Sequence, residues 1–197
     1  MQRRHAVDGL RAALGGAALA ATALLASTHE VSGAERSVFE AVNRLPQTVA
    51  PALWAVMQAG SLPAVFVTAG LALAARRPRL AVALAGGGTT TWLLAKLIKQ
   101  AVDRGRPEEL LRDVIVYGPS ATGLGFPSGH SAVAATLMTV AQPYLTGPAR
   151  IVGWIAVALV AFTRVHVGAH LPLDAAGGLL LGWAVGSLVN LLLSTPD

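Results

Sequence analysis

Long apolar stretches, broken by short polar segments, set the pattern of this chain. Three of them contain no charged residue at all, namely residues 45–75, 114–149 and 175–196. An uncharged apolar stretch of about 20 residues is long enough to cross a bilayer as a helix. The pattern therefore predicts an integral membrane protein of the all-α class, built as a polytopic bundle of membrane helices.

We predict about six membrane spans in this bundle. They cover residues 10–27, 60–75, 80–100, 130–145, 151–163 and 175–193. The first span has an alternative, because a basic start, an Ala/Leu core and small residues near Ala26 are also typical of a cleaved signal peptide. Residues 36–58 mix polar and apolar positions around two prolines, which predicts an interfacial segment that leads into the membrane.

Composition narrows the class of protein. Only 13% of the 197 residues are charged, whereas a soluble domain carries about 25%. The net charge of +5 is compatible with nucleic-acid binding, but the basic residues stand in short groups between apolar runs, which is typical of membrane topology and of contact with anionic lipid. The chain has no cysteine, which excludes disulfides and thiolate chemistry. No linker divides it, so we expect one domain over residues 1–197.

The basic residues near the span ends bear on orientation. A cytoplasmic N-terminus would place one group inside: Arg3, Arg4, Arg11, Arg76, Arg77, Arg79 and Arg150. It would place the other group outside: Arg36, Arg44, Lys99, Arg104, Arg106, Arg112 and Arg164. The two groups are nearly equal in number, so charge counting alone settles little. Several outer members lie among histidines, which calls for an explanation other than topology.

Three polar clusters fall on that outer side, and the first is KQAVDRGRP. Lys99 and Arg106 are seven residues apart, so both cations share a face if the helix continues to Gly105, and Pro107 would then end it. The alternative is a solvated helix end, in which Lys99 pairs with Asp103 at i+4.

The second cluster is PSGH, residues 127–130. Ser128 can cap a helix, Gly129 lets another group approach the backbone, and the first amides of the helix point outward without partners. Such a helix start binds anions, phosphate in particular, and His130 would lie in its first turn. The alternative is a plain helix cap with an uninvolved histidine.

The third cluster is TRVHVGAHLPLD. Arg164 ends the fifth span, and His170 precedes Asp174 by four residues, so the carboxylate can hold one imidazole nitrogen as N–H and leave the other free as a nucleophile. His166, His170 and Asp174 also fit the spacing of a metal site on a continuous helix. Glycine and proline within the segment argue against continuity, so we expect His166 to be structural or to support a site residue from behind.

Together the clusters supply three cations, an amide-rich helix start, two histidines and a carboxylate on one side of a membrane protein. Charged groups inside membrane helices are unfavourable by about 2.5–3.5 kcal/mol each and mark functional sites by default. A dianionic phosphate is the ligand that this set would bind.

These residues resemble a known family. Lys99 with Arg106-Pro107, then PSGH, then Arg164, His170 and Asp174 match the three-part signature K-x6-R-P, P-S-G-H, S-R-x5-H-x3-D. This is the signature of the type 2 phosphatidic acid phosphatase (PAP2) superfamily, and the pattern of spans is similar to its integral membrane branch. The chain departs from the signature at Thr163, where the family commonly has serine, but a hydroxyl is kept.

The resemblance implies a metal-independent phosphatase without a cofactor. By position, His170 would be the nucleophile that forms a phosphohistidine, Asp174 would orient it, and His130 would protonate the leaving oxygen and later activate water. The groups implied to bind the phosphoryl oxygens are Lys99, Arg106, Ser128, Gly129 and Arg164. Phosphoryl transfer depends on such positioning and charge neutralisation.

The implied substrate is a lipid phosphate or diphosphate in the bilayer, with no role for nucleic acid. Small size and an outward-facing site favour a polyprenyl diphosphate such as undecaprenyl diphosphate, handled at the outer face of a bacterial plasma membrane. Phosphatidic acid and phosphatidylglycerophosphate are the alternatives. The loop over residues 102–124 is expected to shape headgroup access. A non-catalytic lipid-phosphate binding or transport protein would not need the two histidines with Asp174, and the oligomeric state stays open.

Overall fold

The structure is a computed structural model that describes residues 2–118 and 122–193, and every regular element within those ranges is helical. The α-helices are α1 (Gln2–Ala26), α2 (Gly33–Asn43), α3 (Ala50–Met57), α4 (Leu62–Ala74), α5 (Pro78–Val102), α6 (Pro107–Leu110), α7 (Gly129–Ala141), α8 (Gly147–His166) and α9 (Pro172–Leu193). Short 3-10 turns cover Gln47–Val49, Gln58–Gly60 and Gln142–Tyr144. The predicted all-α class is confirmed.

Several helices are long and apolar enough to cross a membrane. Within the described residues these are four segments: His5–Ala26, Pro78–Leu110, Gly147–His166 and Pro172–Leu193. A fifth span is possible by length and composition where Ala50–Gly60 and Leu62–Ala74 form a pair bent by 66°. The chain is an integral membrane protein, and the six predicted spans are an approximation of this arrangement.

The predicted fourth span differs most from a simple membrane helix. α7 has only 13 residues, a length of about 20 Å, which is less than the hydrocarbon core of about 30 Å. Its residues 131–140 are all buried, because α5, α8 and α9 surround it. α7 is therefore the central helix of the bundle.

Different groups of residues lie at the two ends of the bundle. Ala26, Val102 and Phe126 form one apolar cluster, so the ends of α1 and α5 meet the segment that leads into α7. At the opposite end Arg11 and Arg150 line a cavity of about 620 Å³ between the ends of α1, α5, α7, α8 and α9. These two arginines of the predicted inner group thus lie at the end away from Lys99 and Arg164.

Three glycines on α9 set its close approach to α7. Gly178, Gly182 and Gly186 recur every four residues, so they line one face of the helix. A Cβ at Gly182 would overlap the carbonyl of Ala132, and a Cβ at Gly186 would lie 2.6 Å from Cβ of Thr139. Small residues at this spacing allow two membrane helices to pack backbone against backbone.

The predicted interfacial segment 36–58 falls across two helices that pack into the bundle. Asn43, at the end of α2, is buried, and its amide nitrogen donates to the carbonyls of Ile115 at 2.7 Å and His166 at 3.0 Å. The N–H of Ile115 donates back to the Asn43 side chain at 2.9 Å. Phe39 is buried against Leu171. α2 therefore lies over the end of the bundle that holds His170.

Candidate active site

The turn between α8 and α9 carries His170 and is fixed by backbone hydrogen bonds. α8 ends at His166, and Gly168 then takes the left-handed region with a φ of 74°. The carbonyl of Arg164 accepts hydrogen bonds from the N–H groups of Ala169 and His170, each at 3.1 Å. His170 therefore projects from a fixed turn and not from a helix.

Asp174 lies in the first turn of α9, beside His170. Its Oδ2 accepts a 2.9 Å hydrogen bond from the N–H of Leu171 and lies 3.6 Å from Nδ1 of His170. That separation is longer than a hydrogen bond but keeps the carboxylate opposite Nδ1, which has no hydrogen-bond partner among the described residues. The structure thus brings the predicted pair into close contact.

The other imidazole nitrogen faces a guanidinium. Nε2 of His170 lies 3.3 Å from Nη1 of Arg106, which also donates to the carbonyl of Ala169 at 2.6 Å. Because a guanidinium can only donate, Nε2 presents its lone pair and Nδ1 carries the proton. In this tautomer Asp174 faces an N–H group and the free lone pair points towards the cations.

His170 is neutral in this environment. It is 2% exposed, and burial lowers its pKa well below the ordinary value. The charges of Arg164, Lys99 and Arg106 lower that pKa further. A neutral imidazole is a competent nucleophile when its Nε2 lone pair turns from Arg106 to a phosphorus atom.

The link between Lys99 and Arg106 differs from the sequence prediction. α5 ends at Val102, and Asp103 takes a left-handed conformation with a φ of 54° that caps the helix end. The helix therefore does not continue to Gly105, and the prediction of a shared helical face is wrong. Pro107 begins α6 instead of ending α5. The alternative pairing of Lys99 with Asp103 is also wrong, because Nζ donates to two backbone carbonyls elsewhere.

Both cations nevertheless meet at one loop, the segment just before PSGH. Nζ of Lys99 donates to the carbonyls of Leu124 and Gly125, the latter at 2.7 Å. Arg106 donates from Nε to the carbonyl of Gly123 at 2.8 Å and from Nη2 to that of Thr122 at 2.9 Å. Contacts with the loop over residues 122–125, and not a continuous helix, thus bring Lys99 and Arg106 together.

PSGH forms the start of α7, as predicted. Ser128 is the cap residue and accepts from the N–H of Ser131 at 3.5 Å, and its own N–H donates to the carbonyl of Asp174 at 2.8 Å. A Cβ added at Gly129 would meet nothing within 4 Å, so that side of the helix start is open. His130 is the second helical residue and lies within electrostatic reach of His170.

Arg164 completes a group of three cations without an acidic partner. Its side chain is buried, its Nη1 donates to the sulfur of Met57 at 3.0 Å, and its Nε has no partner among the described residues. Within residues 2–118 and 122–193, none of Lys99, Arg106 and Arg164 makes an ion pair. The positive charge around His170 is therefore available to an anionic ligand.

His166 faces away from this group. It is fully buried, its ring stacks with those of Tyr117 and Phe162 at centroid distances of 5.0 and 6.2 Å, and its Nδ1 lies 3.1 Å from the carbonyl of Val42. No three potential metal-binding side chains converge within the described residues. α8 ends at His166 and α9 begins at Pro172, so the continuous helix on which the alternative metal site depended is not formed, and His166 packs between aromatic rings.

Sequence reasoning missed two charged residues at the site. Arg104 was placed only among the basic residues of the outer side, yet its side chain is fully buried. Its Nη1 donates to Oδ1 of Asp174 at 2.9 Å and its Nη2 to Oε2 of Glu35 at 2.8 Å. The neighbouring motif could have pointed to Arg104, but nothing near Glu35 in the sequence links it to α9.

Two further predictions concern Thr163 and the loop over residues 102–124. The hydroxyl of Thr163 donates to the carbonyl of Leu159 at 2.6 Å, so it is tied to its own helix. In the loop, the hydroxyl of Tyr117 donates to the carbonyl of Leu45 at 3.2 Å, and Oε2 of Glu109 accepts from the N–H of Arg106 at 3.3 Å. Residues 119–121 lie outside the described residues, and control of headgroup access stays a prediction.

The three clusters also occur in an order that a family model recognises. The PAP2 superfamily model matches residues 64–195, which is about two thirds of the chain and includes every cation and histidine of the site. This chain belongs to the PAP2 superfamily. The resemblance inferred from the three motifs is confirmed.

Relatives and solved structures agree with this assignment. The PAP2 chain is 28% identical over 130 residues to an undecaprenyl-diphosphatase of Sulfolobus acidocaldarius, covering 64% of this chain and 59% of that protein. It is 36% identical over 117 residues to a decaprenylphosphoryl-5-phosphoribose phosphatase of Mycobacterium tuberculosis, covering 58% and 62%. The matched regions thus span about three fifths of each relative.

The fold is shared with a solved membrane protein. A PAP2-type phosphatidylglycerolphosphate phosphatase from Bacillus subtilis superposes with a TM-score of 0.69 at 23% identity, covering 88% of this chain and 93% of that one. At this identity the likeness establishes the fold alone. It agrees with the predicted bundle of membrane helices.

Proposed function

We propose that this protein is a membrane phosphatase that hydrolyses a lipid phosphate or diphosphate through a phosphohistidine intermediate. One observation carries the proposal: Nε2 of a neutral His170 faces Arg106, and the charges of Lys99 and Arg164 act on the same ring, while none of these three cations makes an ion pair within the part of the chain that the structure describes. A phosphate dianion would neutralise most of that charge, and its phosphorus would lie in front of the nucleophile. Membership of the PAP2 superfamily and the phosphatase names of both relatives support it.

In the first step, Nε2 of His170 attacks phosphorus and the bond from phosphorus to the leaving oxygen breaks. His130, protonated once the phosphate dianion lies beside it, donates a proton to that oxygen. Asp174, opposite the N–H at Nδ1, offsets the positive charge that develops on the imidazole ring. The cations and the open helix start at Gly129 hold the phosphoryl oxygens, which stabilises the transition state by position and charge.

In the second step, water replaces the histidine. His130, now unprotonated, accepts a proton from a water molecule whose oxygen attacks phosphorus. The bond between phosphorus and Nε2 breaks, orthophosphate leaves, and His170 is restored with Nδ1 protonated. A lipid diphosphate yields the lipid monophosphate, and a lipid monophosphate yields the alcohol.

We propose a polyprenyl diphosphate as the substrate. Both relatives carry the name of a polyprenyl lipid, undecaprenyl in one and decaprenyl in the other. The site stands at the ends of membrane helices, where a headgroup can reach it while the chain stays in the bilayer. Phosphatidic acid and phosphatidylglycerophosphate are the competing substrates.

Phosphate release from purified protein tests this function. The assay contains EDTA and compares undecaprenyl diphosphate, phosphatidic acid and phosphatidylglycerophosphate at equal surface concentration. We expect release that His170→Ala abolishes and that the control His29→Asn, at an exposed histidine far along the chain from the motifs, leaves at the wild-type level. Unchanged release in His170→Ala would contradict the mechanism, and release from no lipid phosphate would contradict the function.

We further propose that the site faces the outer side of a bacterial plasma membrane. The native chain has no cysteine, so single cysteines report topology without background. We expect a membrane-impermeant maleimide to label Ser27→Cys, at the site end of α1, on intact cells. We expect Thr146→Cys, before α8 at the opposite end, to be labelled only after lysis. The reverse pattern would place the site inside.

A further inference from the structure

Glu35, Arg104 and Asp174 form a buried row of ion pairs, called the charge ladder below. Arg104 has no solvent-exposed side-chain surface, and it joins Oδ1 of Asp174 to Oε2 of Glu35 through bonds of 2.9 and 2.8 Å. Its Nη1 also lies 3.2 Å from Oε1 of Glu35. Glu35 comes from α2, one residue before the predicted interfacial segment 36–58 and outside all three motifs.

Backbone hydrogen bonds hold Glu35 in this position. The N–H of Glu35 donates to the capping hydroxyl of Ser32 at 3.1 Å. Its Oε1 accepts from the N–H of Leu173, in the first turn of α9, at 2.9 Å. α2 thus contacts the helix that carries Asp174 through a charged side chain and a backbone amide.

We propose that Glu35 and Arg104 are positioning residues that fix Asp174 opposite Nδ1 of His170 and set the charge behind it. This inference rests on the proposed function of the site. Arg104 occupies Oδ1 and the N–H of Leu171 occupies Oδ2, so the carboxylate cannot rotate away from the imidazole. Within the described residues, the side chain of Arg104 bonds to Glu35, Asp174 and the carbonyl of Glu30, and neither Arg104 nor Glu35 bonds to His170.

The charges give the ladder a second effect. Two carboxylates and one guanidinium leave the ladder with a net charge of minus one. Formation of the phosphohistidine puts positive charge on the His170 ring, and a net negative ladder stabilises that charge. Without Glu35 the ladder has no net charge, and Arg104 would then interact with Asp174 alone.

Other charged groups also face His170, and none of them changes in the variants below. They are Lys99 on α5, Arg106 before α6, His130 on α7 and Arg164 on α8. Since these groups stay constant, a difference in kcat or in the His170 titration between variants of Glu35 and Arg104 comes from the change in the ladder.

Glu35→Gln removes the charge and keeps the shape. Its amide oxygen can still accept from the N–H of Leu173, which keeps the contact between α2 and α9, whereas its NH2 group cannot accept from Nη2 of Arg104 and that bond is lost. We expect kcat to fall by about tenfold, as for other side chains that orient a functional group from behind. We expect the affinity for inorganic phosphate to change by less than about twofold, because the cations that bind it are untouched.

Charge removal also predicts shifts of opposite sign. Glu35→Gln removes a negative charge, which lowers the pKa of His170 and moves the acid limb of kcat/KM to lower pH. Arg104→Met removes a positive charge, which raises that pKa and moves the limb to higher pH. The double variant restores the net charge, so its limb should return towards wild type while its kcat stays low.

The chain offers a matched control pair at the end of the same helix. Glu40 on α2 and Arg44, the residue that follows α2, form an ion pair of 3.2 Å, but both side chains are solvent-exposed. Glu40→Gln and Arg44→Met should leave kcat and the acid limb at wild-type values. A fall in kcat for these variants equal to that of Glu35→Gln would overturn the proposal.

Histidine NMR provides a readout that does not depend on turnover. The ¹⁵N-labelled protein is titrated in detergent, and the His170 signal is identified by its absence in His170→Asn. The proposal is supported if the midpoint of the His170 titration moves to lower pH in Glu35→Gln and to higher pH in Arg104→Met. If Arg104→Met does not fold, Arg104→Lys replaces it: this variant keeps the charge, so kcat should fall while the His170 titration stays close to wild type.

The two proposals fail in different ways. If wild-type protein releases phosphate from no lipid, the proposed function fails, and the NMR titrations still decide whether the ladder acts on His170. If wild-type release is intact and lost in His170→Ala, but Glu35→Gln changes neither kcat nor the titration, the function stands and the ladder proposal is overturned.

Discussion

Nη1 of Arg106 lies 3.3 Å from Nε2 of His170. This contact fixes the free lone pair of the imidazole on the side of the cations, since a guanidinium offers only donors. In the proposed mechanism, it also places a phosphate-binding fork directly beside the nucleophile. One side chain would then couple substrate binding to the orientation of the nucleophile.

Arg106→Lys tests that coupling. Lysine keeps the charge but cannot contact the loop before PSGH, the turn at Ala169 and the imidazole together, because it lacks the planar fork. We expect kcat/KM for lipid phosphate hydrolysis to fall by about 10²–10³-fold, with a fall in kcat as well as a rise in KM. Arg112→Lys, at an exposed arginine further along the same loop, is the control and should have wild-type kinetics.

His130→Asn tests the role of the histidine in PSGH. If His130 protonates the leaving oxygen, its loss should slow release of a lipid alkoxide by about 10²–10⁴-fold. A p-nitrophenyl leaving group needs no proton, so the same variant should form the phosphoenzyme from p-nitrophenyl phosphate at close to the wild-type rate. Burst kinetics with the two substrates measure this, and an equal loss on both would remove the acid role.

The pH dependence of kcat/KM tests the state of His170. An ordinary histidine becomes protonated below about pH 6.5. Burial and the neighbouring cations lower the pKa of His170, so the free enzyme keeps a neutral nucleophile below that pH. We expect the acid limb of the kcat/KM profile that belongs to the enzyme to lie below about pH 6.5. Measuring the profile with two substrates whose phosphate groups have different pKa values separates this limb from ionisation of the substrate. A limb above 7 that belongs to the enzyme would contradict this environment.

The local geometry of the site could be predicted from the sequence, and its long-range contacts could not. The cap at Ser128 and the approach of His170 to Asp174 depend on residues four positions apart or fewer, so spacing was sufficient. The convergence of Lys99 and Arg106 was expected for the wrong reason, because the left-handed Asp103 ends α5 and a loop over residues 122–125 joins the two side chains.

The charge ladder of Glu35, Arg104 and Asp174 could not be predicted from the sequence. Glu35 is 138 residues before Leu173, whose N–H it accepts. No periodicity or motif connects positions so far apart when one of them lies on a short helix outside the motifs. The count of spans was approximate for a similar reason, since α7 is a short helix that becomes central only through the packing of its neighbours.

Gly182→Leu tests the packing that brings the two histidines together. A Cβ at this position would overlap the carbonyl of Ala132 on α7, so a larger side chain must push α9 away from α7. We expect a loss of about 1–3 kcal/mol in unfolding free energy and a fall in kcat, because His130 stands on α7 and Asp174 on α9. Thermal unfolding in detergent and the phosphate assay measure the two effects.

Gly86→Ala is the control for that variant. Gly86 lies inside α5, and an added Cβ would meet nothing within 4 Å. Replacing a glycine in a helix by alanine is favourable by about 0.5–1 kcal/mol. The control should therefore be as stable as wild type or slightly more stable, with unchanged turnover, whereas equal losses in both variants would remove the argument from close packing.

Trapping the covalent intermediate tests the central claim most directly. Wild-type protein is mixed with a lipid phosphate labelled with ³²P, quenched within milliseconds in base, digested and sequenced by mass spectrometry. We predict a phosphoryl group on His170 that is stable in base and lost in acid, that is absent from His170→Ala, and that accumulates in His130→Asn when ³²P-labelled p-nitrophenyl phosphate, whose leaving group needs no proton, is the donor. Rapid turnover of the same substrate with no label on His170 would contradict the account.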